Sequence, residues 1–186
     1  MKKTVRKVNL PLDKIRKYLE PGPIVLVSSR WKDRNNIMTM GWYTVMEFSP
    51  ALIGCFITGE NHSFEMIKKS GECVINIPTV DMIDKVIKIG NSTGTDFDKF
   101  EKFGLTAQKS QKVDAPQIRE CYGNFECKVV DKHLLPKYSF FILEVLKARV
   151  KASPKYPRTV HYRGEGIFMV SGKHMAFPEK FKPQNL

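Results

Sequence analysis

Three stretches of this chain combine side chains in unusual ways, and two of them suit an anionic ligand. The first is Asn35-Asn36-Ile37-Met38-Thr39-Met40-Gly41-Trp42, which mixes amides, a hydroxyl, thioethers and an aromatic ring in one apparent strand. The second is His62-Ser63-Phe64 at a predicted helix start. A helix start offers unpaired N–H groups and partial positive charge, the combination a phosphate needs. The third runs from Ser92-Thr93-Gly94-Thr95 into Asp98-Lys99-Phe100, where a glycine and hydroxyl loop leads to a lysine that can approach an anion. Each also has a plainer reading: a strand with one polar face and a core tryptophan, a simple helix cap, and a capped surface helix.

Other chemistries lack their residues. Gly164-Glu165-Gly166 has no third glycine, and no GKS or GKT sequence makes a P-loop. No G-x-S-x-G or H-E-x-x-H occurs. His62, His133, His161 and His174 are isolated, without metal-ligand spacing. None of Cys55, Cys73, Cys121 and Cys127 forms a C-x-x-C pair, so zinc, iron–sulfur and thioredoxin-type readings lose their spacing. Cys121 and Cys127, read on one strand, stand ~20 Å apart, beyond disulfide reach. All four read as buried reduced thiols.

The elements that must carry these residues are short. Leu12, Ile15 and Leu19 recur at helical spacing and predict a helix over Pro11–Glu20. Strands are predicted over Ile24–Ser29, Asn35–Met46, Ala51–Thr58 and Glu72–Ile77. Helices are predicted over Ser63–Ser70, with Ser63 as cap and Gly71 as stop, over Asp81–Ile89, and over Asp98–Phe103. Ile118–Val130 alternates, with Cys121, Phe125, Cys127 and Val129 on one face and Glu120, Tyr122, Asn124, Glu126 and Lys128 on the other. Tyr138–Val150 is a further long strand. His161-Tyr162 and Ile167–Val170 flank the glycines as short strands, and Pro178–Leu186 reads as a loose tail. The pattern is mainly β with short helices between strands, which favours a small barrel over a doubly wound sheet.

The chain has 186 residues, 42% hydrophobic and 27% charged, ordinary material for one globular domain. No apolar run nears the ~20 residues of a membrane helix. The basic start, Lys2 to Lys7, is followed by Asn9, Pro11 and Asp13 where an export signal needs an apolar stretch. A cytoplasmic location is the expectation. Thirty-one basic and 19 acidic residues give a net charge of +12, so a nucleic-acid-binding module without cofactor is an alternative. The lysines are scattered rather than striped, which favours a solvated surface and makes nucleic acid the weaker partner.

In their order, these segments resemble the flavin reductase-like family, in particular its flavoredoxin-type branch. The resemblance is carried by Pro23-Ile24-Val25-Leu26-Val27-Ser28-Ser29, Asn36-Ile37-Met38-Thr39 with Trp42, His62-Ser63-Phe64-Glu65-Met66-Ile67, and Gly71-Glu72-Cys73-Val74-Ile75-Asn76-Ile77-Pro78. It continues through Asp98-Lys99-Phe100, Phe103-Gly104-Leu105-Thr106, Ala115-Pro116, Glu126-Cys127-Lys128-Val129-Val130 and Glu144-Val145, and spans roughly residues 21–162.

The resemblance implies an FMN-binding split β-barrel, a core over about 21–170 with additions at both ends, and a homodimer with flavin near the subunit interface. It places Asn36 and Trp42 at the flavin ring, with Met38 and Thr39 in the same segment, and Ser63 and Lys99 at the polar tail or phosphate. The phosphate's charge calls for amides, a hydroxyl and a cation. The flat ring suits Trp42 and methionines, and its pyrimidine end suits Asn36 and Thr39. Tyr138 stands where the family often has a histidine, and a phenol cannot become cationic. The expected activity is flavin-mediated oxidoreduction with NAD(P)H or a redox protein as donor, the cofactor carrying the chemistry and no side chain acting as essential acid or base. Another oxidase on the same barrel, such as one acting on pyridoxamine phosphate, is the alternative within this fold.

Overall fold

The computed structural model describes residues 6–15 and 22–182. Of the predicted N-terminal helix only a 3-10 turn over Leu12–Lys14 falls among them, and residues 16–20 lie outside. Eight strands form one antiparallel sheet. They are β1 (Lys7–Leu10), β2 (Val25–Trp31), β3 (Arg34–Met40), β4 (Tyr43–Phe48), β5 (Ala51–Phe56), β6 (Glu72–Ile77), β9 (Gly123–Asp131) and β10 (Phe140–Lys151). Their order is β3-β2-β6-β9-β10-β5-β4, with β1 also on β10. Two small separate sheets pair β7 (Ala107–Gln108) with β8 (Gln117–Ile118), and β11 (Val160–Gly164) with β12 (Ile167–Val170). This is the mainly β, split-barrel architecture expected from the sequence.

β10 is the spine. It meets β9 over Ile142–Val150 on one side. On the other it pairs first with β5 over Phe140–Glu144 and then with β1 over Ala148–Lys151. A strand holding three partners must bend, and register shifts at Ile142/Leu143 and Val145/Lys147 supply the bulges.

Alternation decides which side chains go where. Val25, Val27, Ile53, Ile75, Phe125 and Leu143 fill the interior cluster. Leu26 and Ile37 point the other way, into a second cluster with Val86, Ile89, Phe100 and Val160. That second layer is built by helices α2 (Ile83–Gly90) and α3 (Lys99–Lys102). Two further helices are α1 (His62–Ser70) and α4 (Leu135–Tyr138). α1 ends at Gly71 with φ 73°, a left-handed value that glycine adopts without strain.

Two predicted strands are broken. The Asn35–Met46 run divides at Gly41-Trp42, where Gly41 packs so close to Ile24 that a Cβ would lie 2.9 Å from its side chain. The Ile118–Val130 run becomes β8, a turn, and β9. The Tyr122 N–H bonds the Ile77 carbonyl, and Cys121 turns into the outer cluster while Phe125 enters the barrel. Tyr138 ends a helical turn, and the long strand begins only at Phe140. All four cysteines are buried and free, as expected.

Candidate functional site

β3 ends the sheet order, so its outer edge faces the α2 layer and the loops around it rather than another strand. Two cavities adjoin there. A large one of about 640 Å³ lies around Met40, Gly41 and Trp42, and a small one of about 100 Å³ lies around Asn36, Ser63 and Lys99. Met38, Thr39, Asn61 and Gly90 line both. From Asn36 to Met40 the strand covers ~13 Å, and Trp42 follows at the break, so the pair forms a groove that is polar at one end and aromatic at the other.

The small cavity is built for negative charge. Lys99 is 3% exposed, and its ammonium donates to the carbonyls of Ile89 at 3.0 Å and Ser92 at 2.6 Å. No carboxylate pairs with it among the described residues. Burial lowers its pKa from 10.5 to about 8, so at pH 7 the group is still mostly cationic. A buried cation held only by carbonyls has room for an anion. His62, also on this cavity, is held below its ordinary range by burial and then by the charges of Arg34 and Lys99. Both effects favour its neutral form. Glu60 stands exposed at the rim.

The start of α1 faces the same space. Asn61 occupies the cap position, yet no side chain caps the helix, since the Asn61 amide donates to Thr58 Oγ1 instead. Ser63 is thus the second helical residue and not the cap that the sequence suggested. The Asn36 amide donates to Ser63 Oγ at 2.8 Å, with both residues no more than 2% exposed. Ser63 already accepts, so its own proton is free to turn into the cavity. Asn36 Oδ1 is buried without a partner and abuts Gly94, where a Cβ would lie 2.1 Å away. Only glycine lets this loop close on Asn36.

The large cleft is apolar and aromatic. Trp42 and Phe56 form one ring pair, 5.2 Å between centroids, and Tyr162 and Phe168 another, at 5.0 Å. Trp42 is 71% exposed, which excludes the plain reading of a core tryptophan. Thr39 Oγ1 donates to the Val86 carbonyl at 2.7 Å, so it offers a ligand only an acceptor.

Six of the seven predicted residues therefore come together: Asn36, Ser63 and Lys99 at the polar end, Met38 and Thr39 at the junction, and Trp42 in the cleft. Asn36 sits beside Ser63 rather than at the aromatic end where the ring was expected. Tyr138 lines neither cavity. It closes α4 half-exposed, with the Lys137 ammonium 5.2 Å from its ring. Sequence reasoning missed Asn61, Phe56, Gly90 and the Tyr162–Phe168 pair. Only the last left a signal, two aromatic residues facing each other across a glycine-rich turn. Among the described residues no group of His, Cys, Asp or Glu is placed to hold a metal ion, and no helix is long and apolar enough to cross a membrane.

A family model described as the flavin reductase like domain matches residues 17–166. An uncharacterized protein of Archaeoglobus fulgidus is 36% identical over 129 residues, 69% of this chain and 72% of that protein. Among solved structures, an FMN-binding domain of a flavin reductases-like enzyme from Shewanella baltica superposes with a TM-score of 0.86 at 24% identity, covering 94% of this chain and 98% of its own. Flavoredoxin of Desulfovibrio vulgaris gives 0.78 at 24% identity, over 86% and 91% of the two chains.

Proposed function

The chain belongs to the flavin reductase-like family, and from that premise we propose that it is an FMN-binding oxidoreductase reduced by NAD(P)H. The observation that carries this reading is Lys99, a buried lysine without a carboxylate partner among the described residues, beside the uncapped start of α1 and adjoining an aromatic cleft.

When bound, FMN supplies a ring that accepts and releases two electrons. The chain's own residues then have defined tasks. Lys99, the Ser63 hydroxyl and the N–H groups opening α1 hold the phosphate. The Asn36 amide fixes the Ser63 rotor. Thr39 accepts a hydrogen bond at the junction, and Met38 and Trp42 pack against the ring. Phe56 braces Trp42 through the ring contact and through its own N–H, which donates to the Trp42 carbonyl at 3.0 Å. No side chain serves as acid or base. The reduced nicotinamide ring, itself uncharged, docks transiently against the exposed flavin face while its phosphates stay outside the cleft. We also propose a homodimer, as the family resemblance implies. A redox protein as partner is the second candidate for electron exchange.

Titration of flavin-free protein with FMN and with riboflavin tests the phosphate assignment. FMN should bind about tenfold or more tighter, since charge-assisted bonds are at stake, and equal affinities would refute it. Anaerobic addition of NADH and NADPH should bleach the bound flavin. A flavin that stays oxidised with both, yet takes electrons from a reduced iron–sulfur protein, would replace the reductase reading with electron carriage.

A further inference from the structure

The β11–β12 hairpin stands apart from the barrel sheet and is pinned to it at its base, where the Ile24 N–H donates to the Val160 carbonyl at 2.7 Å. Its turn, Gly164-Glu165-Gly166, has three successive positive φ values of 94°, 53° and 76°. Two glycines make that path accessible. The result is a fixed ring: the Gly166 N–H donates to the Tyr162 hydroxyl at 3.1 Å, and Phe168 packs beside the ring at 5.0 Å. Tyr162 is nevertheless 52% exposed at the cleft. The Tyr162 ring is thus offered to a ligand, backed by Phe168, which packs on the outer cluster.

Two further observations narrow the ligand. Among the described residues, no side chain lining the large cleft is charged. The hairpin pair lines only this cleft, whereas the polar cavity is reached through Met38 and Thr39. A flavin tethered by its phosphate at Lys99 would enter the large cleft past Met38 and Thr39, which line both cavities, whereas Tyr162 and Phe168 line the large cleft alone.

Resting on the FMN reading, we propose that the Tyr162 face of the hairpin binds the electron acceptor, and that the acceptor is an uncharged, planar ring of the quinone class. The net change is NAD(P)H plus one proton plus quinone, giving NAD(P)⁺ plus hydroquinone. The overall charge of +12 attracts anions, but at physiological ionic strength that field is screened beyond ~8 Å. Moving an anion into a lining without a cation costs more than such a field returns.

The experiment is equilibrium dialysis of oxidised, FMN-loaded protein against 1,4-naphthoquinone and against its 2-sulfonate. The neutral quinone should bind saturably and about tenfold or more tighter than the sulfonate. Tyr162→Ala should weaken it about threefold to tenfold, while Tyr162→Phe, which keeps the ring and loses only the Gly166 bond, should weaken it less. Both variants should keep the wild-type preference for FMN over riboflavin, which reports the separate polar cavity. Equal or tighter sulfonate binding overturns the proposal, as does an unchanged affinity in Tyr162→Ala. Mutual exclusion of FMN and quinone also overturns it, since the hairpin face would then belong to the flavin's own slot. Protein that takes up no FMN refutes the functional reading instead, and the same Tyr162 comparison on flavin-free protein still decides whether the hairpin binds the ring.

Discussion

Among single residues, Lys99 carries the most consequence. Lys99→Met keeps the aliphatic stem and removes the charge. FMN affinity should fall about ten- to hundredfold while riboflavin affinity stays unchanged, a difference calorimetry reads directly. The pH dependence has a definite sign. Burial lowers the Lys99 pKa to about 8, and phosphate binds the charged form, so FMN affinity should decline above pH 8 while riboflavin affinity remains flat. Stability of the flavin-free protein moves the other way. An unfolded lysine keeps its proton to about pH 10.4, so between pH 8 and 10 the unfolded chain binds more protons and folding gains as pH rises. Lys7, whose pKa burial also lowers to about 8, adds the same sign. Subtracting the Lys99→Met profile in a denaturant series isolates the Lys99 share. Asn36, Ser63 and Lys99 were singled out by the family resemblance rather than by their own chemistry, and the fold brings the three to one cavity. Their roles were less legible. Whether Asn36 meets a ring or a serine depends on a contact 27 positions away, and no local pattern encodes it.

At the level of elements, the closure of the Gly90–Asp98 loop on β3 depends on Gly94. Gly94→Ala would drive a Cβ into the Asn36 amide. The expected cost is about 1–3 kcal/mol, roughly 3–10 °C in Tm, with weaker FMN binding because Asn36 or the loop must move. A thermal melt with and without FMN checks both effects. Element types were largely readable from hydrophobic period, and the α1 stop was readable from Gly71. Boundaries were not. Alternation through residues 118–130 looked like one strand because the turn at 119–122 keeps the parity of apolar positions, while the backbone redirects Cys121 into the other cluster. Glu126 looked like a member of an ordinary polar face. It is fully buried and accepts from the Gln111 and Lys112 N–H groups and the Gln117 amide, tying down the loop that covers it. A buried carboxylate of this kind cannot be told from a solvated one by spacing alone.

For the molecule as a whole, assembly is the first test. β4 ends the sheet opposite β3 and exposes Met46 and Phe48. Exposed apolar side chains on a terminal strand favour pairing between copies. Sedimentation should give twice 21.4 kDa, and Phe48→Asp should shift the protein toward monomer. The barrel class was legible from many short strands with inserted helices, but the strand order was not, because nothing local says that β2 lies beside β6 or that β10 takes three partners. That spine sets a timetable. Lys7 pairs with Lys151, and translation at 5–20 residues per second separates the emergence of the two by roughly 7–30 s. Hairpins β2–β3 and β4–β5 can zip within microseconds of leaving the ribosome, yet the inner edge of β5 has no mate until Phe140 and its successors appear. During that wait the nascent chain carries an open, apolar strand edge. A chaperone that masks such edges is therefore expected to raise the yield of this protein during synthesis, and a pause in translation just before Phe140 is expected to lower it.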